Sequence, residues 1–88
     1  MAWKVEYTET AQRQLAGIDR EAAKKIKRYL DKRVATNEDP RRFGDPLKRD
    51  LSGLWKYRVG AFRIIAEIHE NRVVILVVRI GHRSKVYQ

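Results

Sequence analysis

The sequence predicts an α+β domain in which two antiparallel helices pack on a mostly antiparallel four-stranded sheet, in the order β-α-α-β-β-β. Three observations predict it. Apolar residues recur at three- and four-residue steps within 11–18 and again within 22–34, the spacing of a buried helix face. Apolar and polar residues alternate over 2–7 and from 54 onward, the period of a half-buried strand. Two short turn signals, Gly60-Ala61 and Glu70-Asn71, join the last three runs into an antiparallel meander. The 88 residues make one small domain, 1–88.

Each element follows from its residues. Over Ala2 to Tyr7, Trp3, Val5 and Tyr7 alternate with Lys4 and Glu6. Thr8 or Thr10 can then cap a helix, because a hydroxyl accepts from an otherwise unpaired backbone N–H. Ala11, Leu15 and Ile18 form its stripe, and Gly17 marks the break. Asp19 caps the second helix, whose apolar face is Ala22, Ile26, Tyr29, Leu30 and Val34. Its other face carries Lys24, Lys25, Lys27, Arg28 and Lys32 and reads as a solvated surface. The stretch from Asn37 to Pro46, with Asp39-Pro40 and Gly44-Asp45-Pro46, reads as a loop. Leu54 to Val59, Phe62 to His69 and Arg72 to Ile80 are the remaining strands, and Gly81 is expected to break the last.

Period two assigns faces. Phe62, Ile64, Ala66 and Ile68 belong on the helix side, as do Trp55 and Tyr57. Lys56, Arg58 and Arg63 then share the opposite face. Three cations in one patch disfavour folding unless an anion offsets them, which points to phosphate. Glu67 lies on the same face and is expected to neutralise an arginine. His69, beside a turn, is expected to be solvated.

Composition agrees with a polyanionic partner. The chain has 20 basic and 11 acidic side chains, a net charge of +9. Lys and Arg gain affinity for nucleic acid by releasing its counterions, although the same excess also serves solubility. It is spread over both halves of the chain, so net charge alone locates no site. The absence of cysteine excludes disulfides and thiolate metal sites. Two histidines without an acidic cluster do not make a metal centre, so neither metal nor cofactor is expected. No apolar run approaches a membrane span and the first residues lack an export signal. A cytoplasmic location without membrane contact is therefore expected.

The last nine residues add an imidazole, a guanidinium, an ammonium and a phenol just past a strand end, in His82, Arg83, Lys85 and Tyr87. Such groups bind phosphate and move protons. His82 admits two readings, a general acid or a cap on the strand end.

The chain resembles the RelE family of toxins from bacterial toxin–antitoxin modules. The residues that carry the resemblance are Trp55-Lys56-Tyr57-Arg58-Val59-Gly60, Phe62-Arg63-Ile64-Ile65 and Ile80-Gly81-His82-Arg83-Ser84-Lys85-Val86-Tyr87, with Leu51-Ser52-Gly53-Leu54 as lead-in. The resemblance implies a metal-independent mRNA interferase that enters the ribosomal A site and cuts bound mRNA. The 2′-hydroxyl would attack the adjacent phosphate, leaving a cyclic phosphate and a 5′-hydroxyl. It implies a RelB-like antitoxin as partner, in a toxin–antitoxin hetero-oligomer. It also implies that Lys56, Arg58 and Arg63 bind the scissile phosphate or tune the proton carriers, with Arg83 and Tyr87 completing the site. Arg58 stands where some members have lysine, and arginine is a poor proton acceptor. That counts against position 58 as a base.

Self-cleavage through the 2′-hydroxyl needs a base, charge stabilisation at phosphorus and a proton for the leaving oxygen. Lys56 is one candidate base, since neighbouring cations disfavour its protonated form. Tyr87 is another, or it orients or stacks a nucleobase. Arg63 and Arg83 suit the phosphate oxygens, because a guanidinium fork matches their geometry. The competing readings are plain. Lys56 and Arg58 can be the wet side of a sheet, and Tyr87 a cover for its end. At the level of function the alternatives are a ParE-type toxin that inhibits gyrase without nuclease activity, and a non-catalytic RNA-binding module.

Overall fold

The computed structural model describes residues 2–47 and 53–82. The elements are β1 (Lys4–Tyr7), α1 (Glu9–Ala16), α2 (Arg20–Tyr29), a π-helical turn (Leu30–Val34), a 3₁₀ turn (Pro40–Phe43), β2 (Asp45–Pro46), β3 (Leu54–Val59), β4 (Phe62–His69) and β5 (Val74–His82). The sheet has five strands in the order β1-β5-β4-β3-β2. β1 runs parallel to β5, and every other pairing is antiparallel.

The expected four-stranded sheet is therefore corrected to five. The added strand is β2, whose two residues pair with β3 as Asp45 opposite Lys56 and Pro46 opposite Trp55. Two residues show no alternation, and a proline argues against a central strand. At a sheet edge, however, a missing N–H is tolerated. Gly44 lets this edge approach closely. A Cβ there would stand 2.9 Å from Cε1 of Tyr57, so only glycine fits beside that ring.

Of the two caps left open for the first helix, Thr8 and Thr10, the structure takes Thr8, and the second helix starts after Asp19 as expected. Thr8 caps α1 by accepting from the Ala11 N–H, and Asp19 caps α2 by accepting from Glu21 and Ala22. The second helix ends earlier than its stripe suggests. From Leu30 to Val34 the chain widens into a π turn, which still buries both ends of that segment. The loop between Asn37 and Pro46 contains the 3₁₀ turn, with Asp39 accepting from the Arg41 N–H.

One core joins helices and sheet. Ala11, Ile26, Leu30 and Val34 meet Tyr57, Ile64, Ala66, Ile75, Val77 and Ile80, with Trp3, Val5, Trp55 and Phe62 packed around them. The face assignment of β3 and β4 thus holds. Tyr57 is wholly buried, and its hydroxyl donates to the Pro40 carbonyl at 2.8 Å. Gly60 has a φ of +59° in the tight β3–β4 turn, whose ends Val59 and Phe62 pair, as two-residue hairpins require.

β5 departs from expectation in three ways, the first being that it begins at Val74 and not at Arg72. It continues through Gly81, which pairs with Arg63, to His82, which pairs with Phe62. The ladder of β4 pulls these residues into register, so the glycine does not break the strand. β5 also carries a bulge. Ile65 pairs with Arg79 and Ala66 with Val77, which leaves Val78 outside the ladder. Among the described residues no helix is long and apolar enough to cross a membrane.

Candidate functional site

Pairing across the sheet fixes which side chains share the face turned away from the helices. Arg58 stands directly opposite Arg63 across the β3–β4 hairpin, and Gly81 follows on β5. In the next row Lys56, Ile65 and Arg79 lie side by side, with Asp45 beyond Lys56 at the edge. Leu54, Glu67 and Leu76 form the third row. Four cations therefore occupy one end of this face, around Ile65, which is only 5% exposed.

The structure brings Lys56, Arg58 and Arg63 together, as the alternation predicts. Arg58 is exposed, whereas Lys56 and Arg63 are half-buried. The Nε and Nη1 atoms of Arg63 are buried, so this guanidinium is set into the sheet surface and not waving in solvent. Like charges directly opposite one another in a ladder are destabilising. The Arg58–Arg63 pairing thus makes the face a ready acceptor for an anion.

His82 is not brought to this group. It pairs with Phe62 and packs against it edge to face, with ring centroids 5.9 Å apart at 76°. Phe62 belongs to the helix side, so the imidazole lies across the sheet from the cations. Arg83 and Tyr87 lie outside the described residues. Glu67 meets His69, with Oε1 and Nε2 2.9 Å apart. His69 is correspondingly half-buried and not simply solvated.

Arg79 joins the face without having been marked by the sequence pattern. Strict alternation would send it to the same side as Ile75 and Val77, into the core. The extra residue Val78 shifts the phase and turns Arg79 outward. A signal was present, since Val77 and Ile80 are both buried yet stand an odd number of positions apart.

The bulge and the open edge of β5 are met by α1. β1 stops pairing at Tyr7 opposite Val77, so beyond that point no strand among the described residues covers this side of β5. The Thr8 N–H donates to the Val77 carbonyl at 2.9 Å. The Thr8 hydroxyl donates to the Val78 carbonyl at 3.4 Å. Ile80 N–H donates to Oε1 of Gln14 at 2.6 Å. Neither Thr8 in this second role nor Gln14 is legible from periodicity.

Burial pushes the Tyr7 phenol up to about 12, with Asp31 adding to the shift. Burial also raises Tyr57 and Tyr29. All three stay protonated near neutral pH and sit on the helix side or in its packing, so none is a proton acceptor for the cationic face. Among the described residues no three His, Cys, Asp or Glu side chains gather where they could hold a metal ion. What the face offers is fixed positive charge around an apolar floor, with one amine, Lys56, among guanidinium groups.

Comparison with known proteins agrees with this architecture. The model of the ParE toxin of the type II toxin–antitoxin system, parDE, matches residues 5–87. Toxin RelG of Mycobacterium tuberculosis is 26% identical over 88 residues, which span 100% of this chain and 99% of that protein. Toxin RelE of the same organism is 29% identical over 86 residues, 98% of this chain and 87% of that protein. The crystal structure of the toxin–antitoxin complex RelBE2 from Mycobacterium tuberculosis contains a chain similar to this one, with a TM-score of 0.84 and 25% identity. The match covers 97% of this chain and 95% of that one. With its fold, its opposed arginines and a family match over nearly its whole length, the chain belongs to the ParE toxin family of type II toxin–antitoxin systems, within the RelE/ParE toxin superfamily.

Proposed function

We propose that the protein is an mRNA interferase that cleaves ribosome-bound mRNA without a metal. The observation that carries this reading is the direct opposition of Arg58 and Arg63, with Lys56 in the adjacent row, on the face of the sheet turned away from the helices. A phosphodiester placed over them relieves their repulsion. It would also be held by guanidinium forks that match its oxygens.

In the proposed reaction the 2′-oxygen attacks phosphorus and the bond from phosphorus to the 5′-oxygen breaks. The products are a 2′,3′-cyclic phosphate and a free 5′-hydroxyl. Lys56 is the base for the 2′-hydroxyl proton when it is in its neutral form, with Tyr87 as the other candidate. Arg58 and Arg63 stabilise the charge that gathers on the phosphorane oxygens. Arg83 completes the charge and is the proposed donor to the leaving 5′-oxygen. His82, on the far side of the sheet, takes the reading of a strand-end residue in this scheme. In this scheme the ribosome positions the mRNA over the face.

A RelB-like antitoxin is the proposed partner, in a hetero-oligomer that keeps the cations covered. The Mycobacterium tuberculosis structure that this chain resembles is such a toxin–antitoxin complex. A cytoplasmic location follows from a ribosomal target.

The second reading is a gyrase-directed toxin without nuclease activity, and the family model, named for ParE, favours it. One experiment separates the two. Purified protein is incubated with programmed ribosomes or with free mRNA, each with and without EDTA, while polyamines keep the ribosomes intact. Cleavage of ribosome-bound mRNA in both conditions, with cyclic-phosphate ends, is expected. Intact mRNA together with inhibited gyrase supercoiling would replace this reading with the second.

A further inference from the structure

We infer that Arg79 is an RNA-binding residue that holds the phosphate next to the scissile one. The inference rests on the nuclease reading for its biological meaning. Its structural basis is separate, and lies in the placement of Arg79 by the β5 bulge beside the cationic row.

The alternative placement is costly. In an unbulged β5, Arg79 would fall in phase with Ile75 and Val77, both buried in the core. A guanidinium there would be buried without water, which is strongly unfavourable. The insertion of Val78 puts Arg79 opposite Ile65 instead, and the side chain is exposed. Bulges commonly re-aim a side chain in this way.

The bulge is also held. An unpaired residue leaves backbone groups that need partners. Thr8 donates to the Val78 carbonyl, and Gln14 accepts from Ile80 N–H. Two side chains from the start and body of α1 thus fix the backbone on either side of Arg79. A charge needed only for solubility would not require its backbone to be anchored on both sides.

Position then selects the phosphate. Arg58 and Arg63 face each other on adjacent strands, so one phosphate bridges them. Arg79 stands on the strand next to Arg63, two residues from its partner Gly81, a diagonal of about 7–8 Å. That exceeds the width of one phosphate group. A backbone lying over Arg58 and Arg63 and continuing towards β5 brings its next phosphate to Arg79.

The test uses a short single-stranded RNA that is 2′-O-methylated throughout and therefore cannot be cut. Its binding to the intact protein is followed by fluorescence anisotropy over a range of salt concentrations. For Arg79→Gln, the slope of log K against log salt should become shallower by about 0.7, the change expected when one phosphate of a single strand is no longer neutralised. Affinity at low salt should fall roughly fivefold, as for an exposed charge pair. Arg79→Lys should keep the parental slope. Arg72→Gln removes the same charge from an arginine that pairs with Glu6 near the other end of the sheet, and its slope should match the parent. Melting curves check that each variant is folded. Equal changes for Arg79→Gln and Arg72→Gln, or no change for either, would overturn the assignment. If the parent binds this RNA but leaves ribosome-bound mRNA intact, the nuclease reading fails and the slope still judges Arg79. If the parent cleaves and Arg79→Gln keeps the parental slope, the Arg79 assignment alone fails.

Discussion

Replacing Gly44 by alanine probes how the short edge strand is seated against the hairpin that carries the cations. The backbone at Gly44 has φ −111° and ψ 169°, an extended conformation that any residue adopts. Steric overlap therefore decides the effect. The new Cβ would lie 2.9 Å from Cε1 and 3.0 Å from Cζ of Tyr57, and 3.2 Å from the Lys56 carbonyl oxygen. The ring has nowhere to go, since Tyr57 is 0% exposed and its hydroxyl is tied to Pro40 at 2.8 Å. Overpacking of this kind costs about 1–3 kcal/mol. Displacing the ring would also forfeit a buried hydrogen bond worth about 1 kcal/mol. A loss of about 2 kcal/mol is expected, or roughly 8–16 °C in Tm for a domain of this size. Urea unfolding followed by the fluorescence of Trp3 and Trp55 measures it. In a Tyr57→Leu background, where the ring is gone, Gly44→Ala should cost about half as much or less, because only the 3.2 Å approach to the Lys56 carbonyl oxygen remains. An equal penalty in both backgrounds, or a negligible one in the parent, would refute the close-packing argument.

Three further outcomes are expected, for cleavage, for the Arg58 charge and for Gln14. Alanine at Lys56, Arg58 or Arg63 should slow single-turnover cleavage on programmed ribosomes by about ten- to a thousandfold, the usual range when a group that stabilises the transition state is removed. Arg58→Ala should melt no lower than the parent, since it removes one of two opposed charges, and a large drop in Tm would show that Arg58 is structural. Gln14→Leu should cost about 1–3 kcal/mol in urea unfolding by leaving the Ile80 N–H without its acceptor. Gln14→Glu, which keeps an acceptor oxygen, should recover most of that loss, and equal penalties for the two would sink the proposed role.

The parts of the fold that alternate were legible. Leu54–Val59 and Phe62–His69 emerged with their observed bounds because one side of each packs on helices and the other does not. The same asymmetry separated Tyr57 from Lys56 and Arg58. Thr8 and Asp19 were readable as caps because their chemistry is local. What escaped is non-local. β2 exists only because Asp45 and Pro46 find an open edge on β3, and two residues carry no period. The bulge at Val78 depends on how β4 and β5 align, and the partner of Ile80 is a glutamine 66 positions away. Arg79 was hidden for that reason, since its face is set by a phase shift and not by its own neighbours. The contact of Glu67 with His69, two residues on along the same strand, was likewise not marked by parity.

The place of β5 in the sheet has a consequence for the chain as it is made. β5 lies between β1 and β4, and it is the partner of the very first strand, with Thr8 reaching Val78 across 70 residues. While the chain emerges from a ribosome, the β3–β4 hairpin can close locally, but β1 has nothing to pair with until residues 74–82 have left the exit tunnel. Contacts of such long sequence separation form late. The row that sets Arg79 beside Lys56 is completed in that same step. A nascent chain therefore aligns Lys56, Arg58 and Arg63 in the hairpin before Arg79 joins them. The interval between synthesis and the docking of β5 is one in which a partner can meet the protein before the full cationic face exists.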